Sequence, residues 1–345
     1  MTTIYLIRHA EAEGNLFRRL QGQYDSNITP NGMRQIAALR ARFADVPIDA
    51  VYSSDLTRTR TTAEAVRCPK GLTLHPDRRL REMGVGVWEN LPFGWLDHTA
   101  PEQNREFSQS PRTWHTDGSE PFAVYTGRFL QALDEIARRH DGQSVAVFSH
   151  GMVLRGALLT LFFPNDQDAV GHGENTAVSL LHGQGWHYTY DYIHDASHLT
   201  PEIATVSRQL WWRGSRYRDF NMWFRDPVAE DAALLAEYGV PADGITRIAM
   251  LGSVPAGVVA LRLSDRETAE LTALALLPER RGIGLAAQLI GEAVAVSRGQ
   301  GKKALRPCRT VDDPSARRLL ARCGFTGTPP TLDLTVRVQS LPDSL

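Results

Sequence analysis

The sequence predicts an α/β domain with a mainly parallel sheet over residues 1–199, followed by an α+β domain over residues 200–345, with 200–225 readable as a linker. Three observations carry this. The length of 345 residues suits two domains of ordinary size. Before residue 200 short β-rich runs alternate with helical patterns, as in a layered parallel sheet; beyond it three β runs follow one another before any helix, as in an antiparallel meander. The charge divides at the same place, −4 up to residue 200 and +3 after it, within a net −1.

In the first part Thr3–Ile7 reads as a buried strand, an apolar run too short for a helix. Thr29-Pro30-Asn31-Gly32 opens a helix, with Thr as cap and Pro in the first turn. Met33, Ile36, Leu39 and Phe43 give that helix one apolar face. Ala50–Ser53 is a second strand leading into a helix near Asp55, and Leu72–Leu74 a short third strand. Residues 90–125 are rich in Pro, Trp, Ser and Gln with little periodicity, an insertion lying over something. Trp88, Phe93, Trp95, Trp114 and His115 either line a substrate mouth or pack that insertion. Packing is the favoured reading, since aromatics dominate small cores. A helix around 125–140 precedes Val145–Phe148, the clearest strand, and then a helix across 152–162. Ala177–Leu181 and Trp186–Tyr190 close the part as two β runs.

The second part opens with an Arg- and Trp-rich stretch from Trp211 to Phe224, read as a domain interface or lid rather than a nucleic-acid or membrane contact. Ile245–Leu251, Gly257–Leu263 and Ala269–Leu277 form the meander, with Pro255-Ala256 and Ser264-Asp265 as turns. A Gly-containing helix start, a strand near Lys303–Arg309, a helix at Pro314–Arg322 and a last strand at Thr331–Val338 complete it.

Composition narrows the function classes. With 42% hydrophobic and 22% charged residues the chain can pack cores and is not disordered. A near-neutral charge argues against wholesale nucleic-acid binding. No apolar run approaches the roughly 18 residues that span a bilayer, and no secretory leader opens the chain. Cys68, Cys308 and Cys323 show no C-x-x-C spacing. These features predict a soluble cytoplasmic protein with structural cysteines and no membrane partner.

Ligands bind at the carboxyl ends of strands in open α/β sheets. There the first strand ends in Arg8-His9 with Asn15 beyond, and the second in Ser53-Ser54-Asp55 with Arg58 just after. The third leads to Glu82, and the Val145–Phe148 strand delivers Ser149-His150-Gly151. Two arginines, two histidines and a carboxylate on one rim suit phosphoryl transfer. Arginine forks and a helix N-terminus neutralise the phosphoryl oxygens. Neutral imidazole is a nucleophile for phosphorus, and a carboxylic acid can protonate the leaving alkoxide.

These residues carry a resemblance. Arg8-His9-Ala10-Glu11-Ala12-Glu13-Gly14-Asn15 resembles the R-H-G-E-x-x-x-N opening of the histidine phosphatase (phosphoglycerate mutase-like) superfamily. Gln21-Gly22, Ser53 through Ala63, Arg81-Glu82, Gly86 with Trp88-Glu89, Ser149-His150-Gly151, Asn175-Thr176-Ala177 and His198-Leu199 follow in the family's order, over residues 1–199. The resemblance implies a phosphoglycerate mutase-like α/β/α sandwich and His9 as the phosphorylated nucleophile. It implies Arg8, Arg58 and His150 around the phosphoryl group, helped by Asn15, Gln21 and Gly22, with Glu82 as acid and base and no metal. Ala10 and Asn90 stand where the family commonly has Gly. Mutase members hold a second anion with a lysine and paired arginines in the cap. No lysine lies between residues 71 and 301, and 90–125 has no Arg-Arg pair. Phosphomonoester hydrolysis is therefore favoured over mutase chemistry.

Leu274 to Ile290, with Gly282-Ile283-Gly284 at its centre, reads as strand, glycine turn and helix, whose amides can cradle a pyrophosphate. A dinucleotide fold is excluded by the meander before it and the lack of an acidic residue ending the next strand. The pattern resembles the acyl-CoA motif of GNAT-type N-acyltransferases, and Asp313 through Phe325 resembles their later N-x-x-A…G-F segment. This resemblance, over about residues 220–340, implies acetyl-CoA on the amides of Arg281, Gly282, Ile283, Gly284 and Leu285. It implies pantetheine along Leu276 and Leu277, and Glu270 as base for an amine. Glu279 departs from the motif, and Leu320 stands where many members have the tyrosine that protonates the thiolate.

His194 and His198 have helical metal-ligand spacing but no supporting Cys or Glu, so a structural role is preferred to zinc. The reading is a bifunctional enzyme that hydrolyses a small phosphomonoester and acetylates a small amine. Two alternatives remain: a phosphatase with a non-catalytic acyl-CoA module, and phosphoglycerate mutase-type transfer.

Overall fold

In the computed structural model, residues 1–207, 209 and 220–341 are described. The first part is built on strands β1 (Thr2–Arg8), β2 (Ala50–Ser53), β3 (Leu74–Pro76), β4 (Ser144–Ser149), β5 (Val178–Gln184) and β6 (His187–Asp195). They lie in the order β3-β2-β4-β1-β5-β6. The first four are parallel and the β5–β6 hairpin is antiparallel. Alternation within the strands makes the layers. Ile4, Leu6, Val145 and Val147 face one core with α6 (Phe122–Arg139) and α7 (Gly151–Phe162), while Ile7, Ala146 and Phe148 face another with α2 (Pro30–Arg42) and α3 (Thr57–Arg67). The result is the α/β/α sandwich.

The register places the site. Arg8 pairs with Ser149 and Ser53 with Phe148, so His9, His150 and Ser54 leave three adjacent strands at one rim. The 90–125 insertion, expected to lack periodicity, holds helices α4 (Phe93–Thr99) and α5 (Pro101–Gln109). They escape the sequence pattern because they are short. Phe107 of α5 packs with Trp88 and Trp114, as the packing reading expects, whereas Phe93 borders the cavity described below.

The second sheet runs β12-β11-β10-β9-β8-β7. Its strands are β7 (Met222–Arg225), β8 (Ile245–Leu251), β9 (Val254–Arg262), β10 (Thr268–Leu276), β11 (Ala304–Pro307) and β12 (Leu332–Asp333). A short helix α8 (Ala232–Glu237) follows β7, α9 (Ala286–Gly299) follows the glycine turn, and α10 (Pro314–Arg322) carries the Asp313 cap. The meander is antiparallel from β7 to β10, and β10–β11 is parallel.

Two expectations fail here, the turn at Pro255-Ala256 and the length of the last strand. Pro255-Ala256 is not a turn but lies within β9; the turn falls at Gly252-Ser253, where Gly252 takes a φ of 60°. The strand β7 emerges from the Arg- and Trp-rich stretch; the Trp211 end of that stretch lies outside the described residues. The last strand spans only Leu332–Asp333. The chain beyond it crosses to the first part, where Asn27 Nδ2 donates to Thr335 O at 2.9 Å, Ile28 N to Gln339 Oε1 at 2.9 Å, and Gln339 N to Thr61 Oγ1 at 3.2 Å. A β-prone run without a free sheet edge beside it takes its hydrogen bonds from another surface. No described helix is long and apolar enough to cross a membrane.

Candidate active site

The expected residues of the first part converge. A cavity of about 300 Å³ is lined by Arg8, His9, Asn15, Gln21, Gly22, Arg58 and Glu82. His150 lies beside it, its ring 5.3 Å from that of His9.

His9 Nδ1 sits 2.7 Å from Ala10 O. A carbonyl only accepts, so Nδ1 carries the proton and Nε2 keeps its lone pair. Burial, then the charges of Arg58 and Arg8, push the His9 pKa well below the ordinary histidine value, which keeps the ring neutral. His150 is depressed likewise by burial and by Arg58, and its Nε2 pairs with Ser54 Oγ at 2.9 Å. Ala10, at the family's glycine, is buried and has no positive φ, so the substitution needs no rearrangement. Asn90 does take a φ of 59°, and asparagine is among the residues that tolerate it.

The arginines are held from behind. Arg8 Nη1 donates to Gly173 O at 2.5 Å, and Arg58 donates to Tyr24 O at 2.8 Å and Gly22 O at 2.6 Å. Arg8 Nε, Arg58 Nε and His150 Nδ1 are buried with no partner. Buried polar atoms without a partner are costly, and the Nε–H groups of Arg8 and Arg58, whose side chains line the cavity, are donors of the kind a phosphoryl oxygen accepts from. Glu82 accepts from Met83 N at 3.0 Å, Met152 N at 3.0 Å and Val153 N at 2.8 Å, so its carboxylate caps α7 while bordering the cavity. Asn15 Oδ1 accepts from Ala12 N at 3.0 Å and Gln21 Oε1 from Ser26 Oγ at 2.6 Å, fixing both side chains.

Several residues were missed in the sequence. Asn175, noted only as a motif match, donates to His9 O at 2.9 Å, Thr62 Oγ1 accepts from Ala10 N, and Arg128 donates to the carbonyls of Arg79, Arg81 and Glu82. An Arg after a helix start carries no signal for carbonyls so far away in sequence. Arg18 and Arg105 also border the cavity. The expected shortage of cations for a second anion is therefore not what the fold provides.

In the second part Gly282 and Gly284 take φ values of 78° and 88°, and none of the amides of Gly282, Ile283, Gly284 and Leu285 donates to a described carbonyl. A run of unengaged amides opening a 14-residue helix fits a pyrophosphate. Ile283, Gly284 and Leu285 line a second cavity of about 260 Å³ with Arg322, Glu11, Leu16 and Arg18. The pantetheine positions fit less well. Leu276 O accepts from Arg281 Nε at 3.0 Å, and Leu277 N donates to Ala256 O at 2.9 Å. Glu270, the base candidate, is ion-paired with Arg306 at 2.9 Å, and Leu320 is buried against the core.

His194 lies on β6, not on a helix, so its spacing to His198 puts no two ligands on one face. His198 bonds Thr176 Oγ1 and Arg42. Of the cysteines, Cys323 is buried, its thiol pushed up to about 12 by burial; Cys68 and Cys308 are exposed.

Comparison with known proteins settles the first part. The model of the histidine phosphatase superfamily (branch 1) matches residues 4–196. The chain belongs to this superfamily. The model of the acetyltransferase (GNAT) family matches residues 208–325, so a histidine phosphatase domain is joined to a GNAT domain. A metal-independent phosphoserine phosphatase of Arabidopsis thaliana is 32% identical over 207 residues, 58% of this chain and 84% of the relative. A probable phosphoglycerate mutase of Yersinia pestis is 36% identical over 161 residues, 47% of this chain and 75% of the relative. Among solved structures, Bacillus stearothermophilus YhfR superposes with a TM-score of 0.55 at 30% identity, covering 57% of this chain and 99% of that one. The superfamily match thus covers the strands and loops that bring Arg8, His9, Arg58, Glu82 and His150 to one rim, and the acetyltransferase-family match begins just before Gln209, which lines the cavity.

Proposed function

We propose that the first domain hydrolyses a small phosphomonoester through phospho-His9. His9 Nε2 attacks phosphorus, forming the N–P bond as the ester P–O bond breaks. Glu82 gives its proton to the departing alkoxide oxygen. Water then attacks the phosphohistidine, Glu82 takes back a proton from it, the N–P bond breaks, and phosphate leaves. Arg8, Arg58 and His150 stabilise the charge on the transferring group. The observation that carries this is the neutral His9 ring, Nδ1 engaged by Ala10 O, in a cavity lined by Arg8 and Arg58 with their Nε–H groups unpartnered. The test is phosphate release from a panel of phosphomonoesters by wild type and His9→Ala. Release that requires His9 supports the reading, and equal release by both proteins would overturn it.

Phosphoglycerate mutase-type transfer is a second reading, because Arg18 and Arg105 give the cavity cations for a second anion. Phosphate that moves within the ester and is not released would select it.

The second domain is read as holding acyl-CoA at the amides of Gly282, Ile283, Gly284 and Leu285, while the expected Arg281 amide is taken by Pro278 O at 3.3 Å. Bound there, acetyl-CoA supplies an activated acyl group. The Glu270–Arg306 pair and the buried Leu320 favour binding over turnover. Gly282→Asp should abolish acetyl-CoA binding in calorimetry by setting a carboxylate against the amides. Thiol release with an amine panel would restore the acetyltransferase reading, with Glu270 as base.

A further inference from the structure

Residues 197–207 lie between the two family matches, which cover 4–196 and 208–325, and this connection reaches the phosphatase cavity. Thr205, Val206 and Gln209 belong to the cavity lining, and both Thr205 and Val206 are buried. Glu174 holds this strap of chain to the first domain. Its Oε1 accepts from Thr205 N at 3.0 Å and Val206 N at 2.8 Å, and its Oε2 from Val206 N at 2.9 Å and Ser207 N at 3.1 Å. Successive N–H groups turned to one side make a concavity for an anion, and here the anion is a side chain from a loop far away in sequence.

That loop also supports the groups around the phosphoryl site. One residue before Glu174, Gly173 O accepts from Arg8 Nη1; one residue after it, Asn175 Nδ2 donates to His9 O. The backbone of the same turn is tied in as well, with Ala177 N donating to Glu174 O and Arg8 N to Ala177 O. The charge of Glu174 is felt at Arg8, where burial works against the guanidinium and the fields of Glu174 and Glu82 oppose that. At the far end of the strap Gln209 Nε2 donates to Asn15 O, in the helix α1 (Glu13–Phe17), at 3.1 Å. Both oxygens of Glu174 meet donors, so only a carboxylate serves them all; an amide would set its own N–H groups against one pair.

We propose that Glu174 is a positioning residue for the phosphoryl site: its carboxylate seats the strap as one wall of the cavity and thereby fixes the loop that holds Arg8 and His9. This rests on the phosphoryl-binding part of the reading above. The site is then complete only while the strap is seated. If a variant lowers the seated fraction, apparent affinity falls by that fraction, whereas the complex, once formed, reacts as before. Loss of the carboxylate therefore acts on KM, while a merely structural role would lower the amount of active protein and so kcat.

The test uses the full-length protein, with p-nitrophenyl phosphate as the ester and inorganic phosphate as the binding probe. Glu174→Ala should raise KM by about ten-fold or more, the weight of hydrogen bonds to a charged group. Calorimetric phosphate binding should weaken by a similar factor, with kcat nearly unchanged. Glu174→Gln, which keeps one acceptor oxygen, should recover part of both. Hydrogen exchange gives a readout that needs no turnover. The amides of residues 205–207 should be protected in wild type, exchange faster in Glu174→Gln, and slow again when phosphate fills the site. A fall in kcat with KM and phosphate affinity unchanged would overturn the proposal. So would strap amides in Glu174→Gln whose exchange phosphate does not slow. His9-dependent phosphate release with KM and phosphate affinity in Glu174→Ala equal to wild type would sink the positioning role alone. Strap protection coupled to phosphate, without turnover of any ester, would sink hydrolysis and keep the positioning role.

Discussion

At the residue scale the site is a problem of keeping histidines neutral. His9 and His150 are held well below the ordinary histidine value, and burial pushes His172 to about 3 and His194 and His198 to about 4. Each takes a proton in the unfolded chain, near pH 6.5, before it does so in the folded one. Their stabilisation is therefore complete above pH 6.5 and lost as pH falls towards the folded values. The melting temperature should drop steeply between pH 6.5 and 5, and a flat profile there would contradict the buried neutral rings. Glu82 gives a second prediction. Glu82→Gln should slow alkyl esters by about 10²-fold or more, the usual weight of general acid catalysis, and aryl esters far less, because a phenolate leaves without a proton. Comparing kcat/KM, which reads the phosphorylation of His9 before Glu82 acts on water, on one ester of each kind checks this. His9, Glu82, Arg8, Arg58 and His150 were legible because strand ends collect them. Asn175, Thr62 and Arg128 were not, since their work is on backbone carbonyls and amides that only the tertiary fold brings near.

At the scale of elements, strands and long helices were legible wherever one period persisted. The β4 run and α6 show it plainly, one buried along its length and the other with an apolar face. The start of the β9 strand was hidden, because Pro255-Ala256 imitates a turn while the real turn uses Gly252. Gly257 is needed in this strand for a close approach: a Cβ would lie 2.3 Å from Ala275 O on the neighbouring strand. The packing of α1 on α9 was invisible altogether. It depends on Gly291, where a Cβ would come within 2.4 Å of Phe17 Cβ. Gly291→Ala should push the two helices apart. Overpacking of this kind typically costs about 1–3 kcal/mol, more than the helix-propensity gain of about 1 kcal/mol from replacing glycine. Because α1 carries Asn15 and leads into Arg18, the same change should raise KM for the ester. Denaturant unfolding and ester kinetics on one preparation would measure both, and a more stable variant with unaltered KM would show that the helices do not press on each other.

At the scale of the whole molecule, the two domains share more than a linker. Leu16 and Phe17 of α1 lie in the same apolar cluster as Met222, Ala249 and Ile290 of the second domain. Around that contact stand two ion pairs with little exposure, Arg298 with Glu13 at 2.6 Å and Arg19 with Glu292 at 2.8 Å. Trp223 of β7 stacks on His98 of α4 with ring centroids 4.1 Å apart. The segment after β12 returns to Asn27, Ile28 and Thr61 of the first domain. Ordinary domain interfaces within a chain are polar and leave each core complete. Here unfolding the second domain would strip Leu16 and Phe17 of their cover and leave Glu13 without its cation. Uncovering two large apolar side chains costs about 1.5–3 kcal/mol each, so a half-folded state carries a penalty that is a large part of the stability of a domain, about 5–15 kcal/mol. The full chain should therefore unfold in one transition, with calorimetric and van't Hoff enthalpies agreeing and phosphatase activity lost together with tryptophan fluorescence. Arg298→Met should lower that single midpoint. Two resolved transitions in the wild type, the first leaving phosphate release intact, would mean that the shared cluster contributes too little to join the domains.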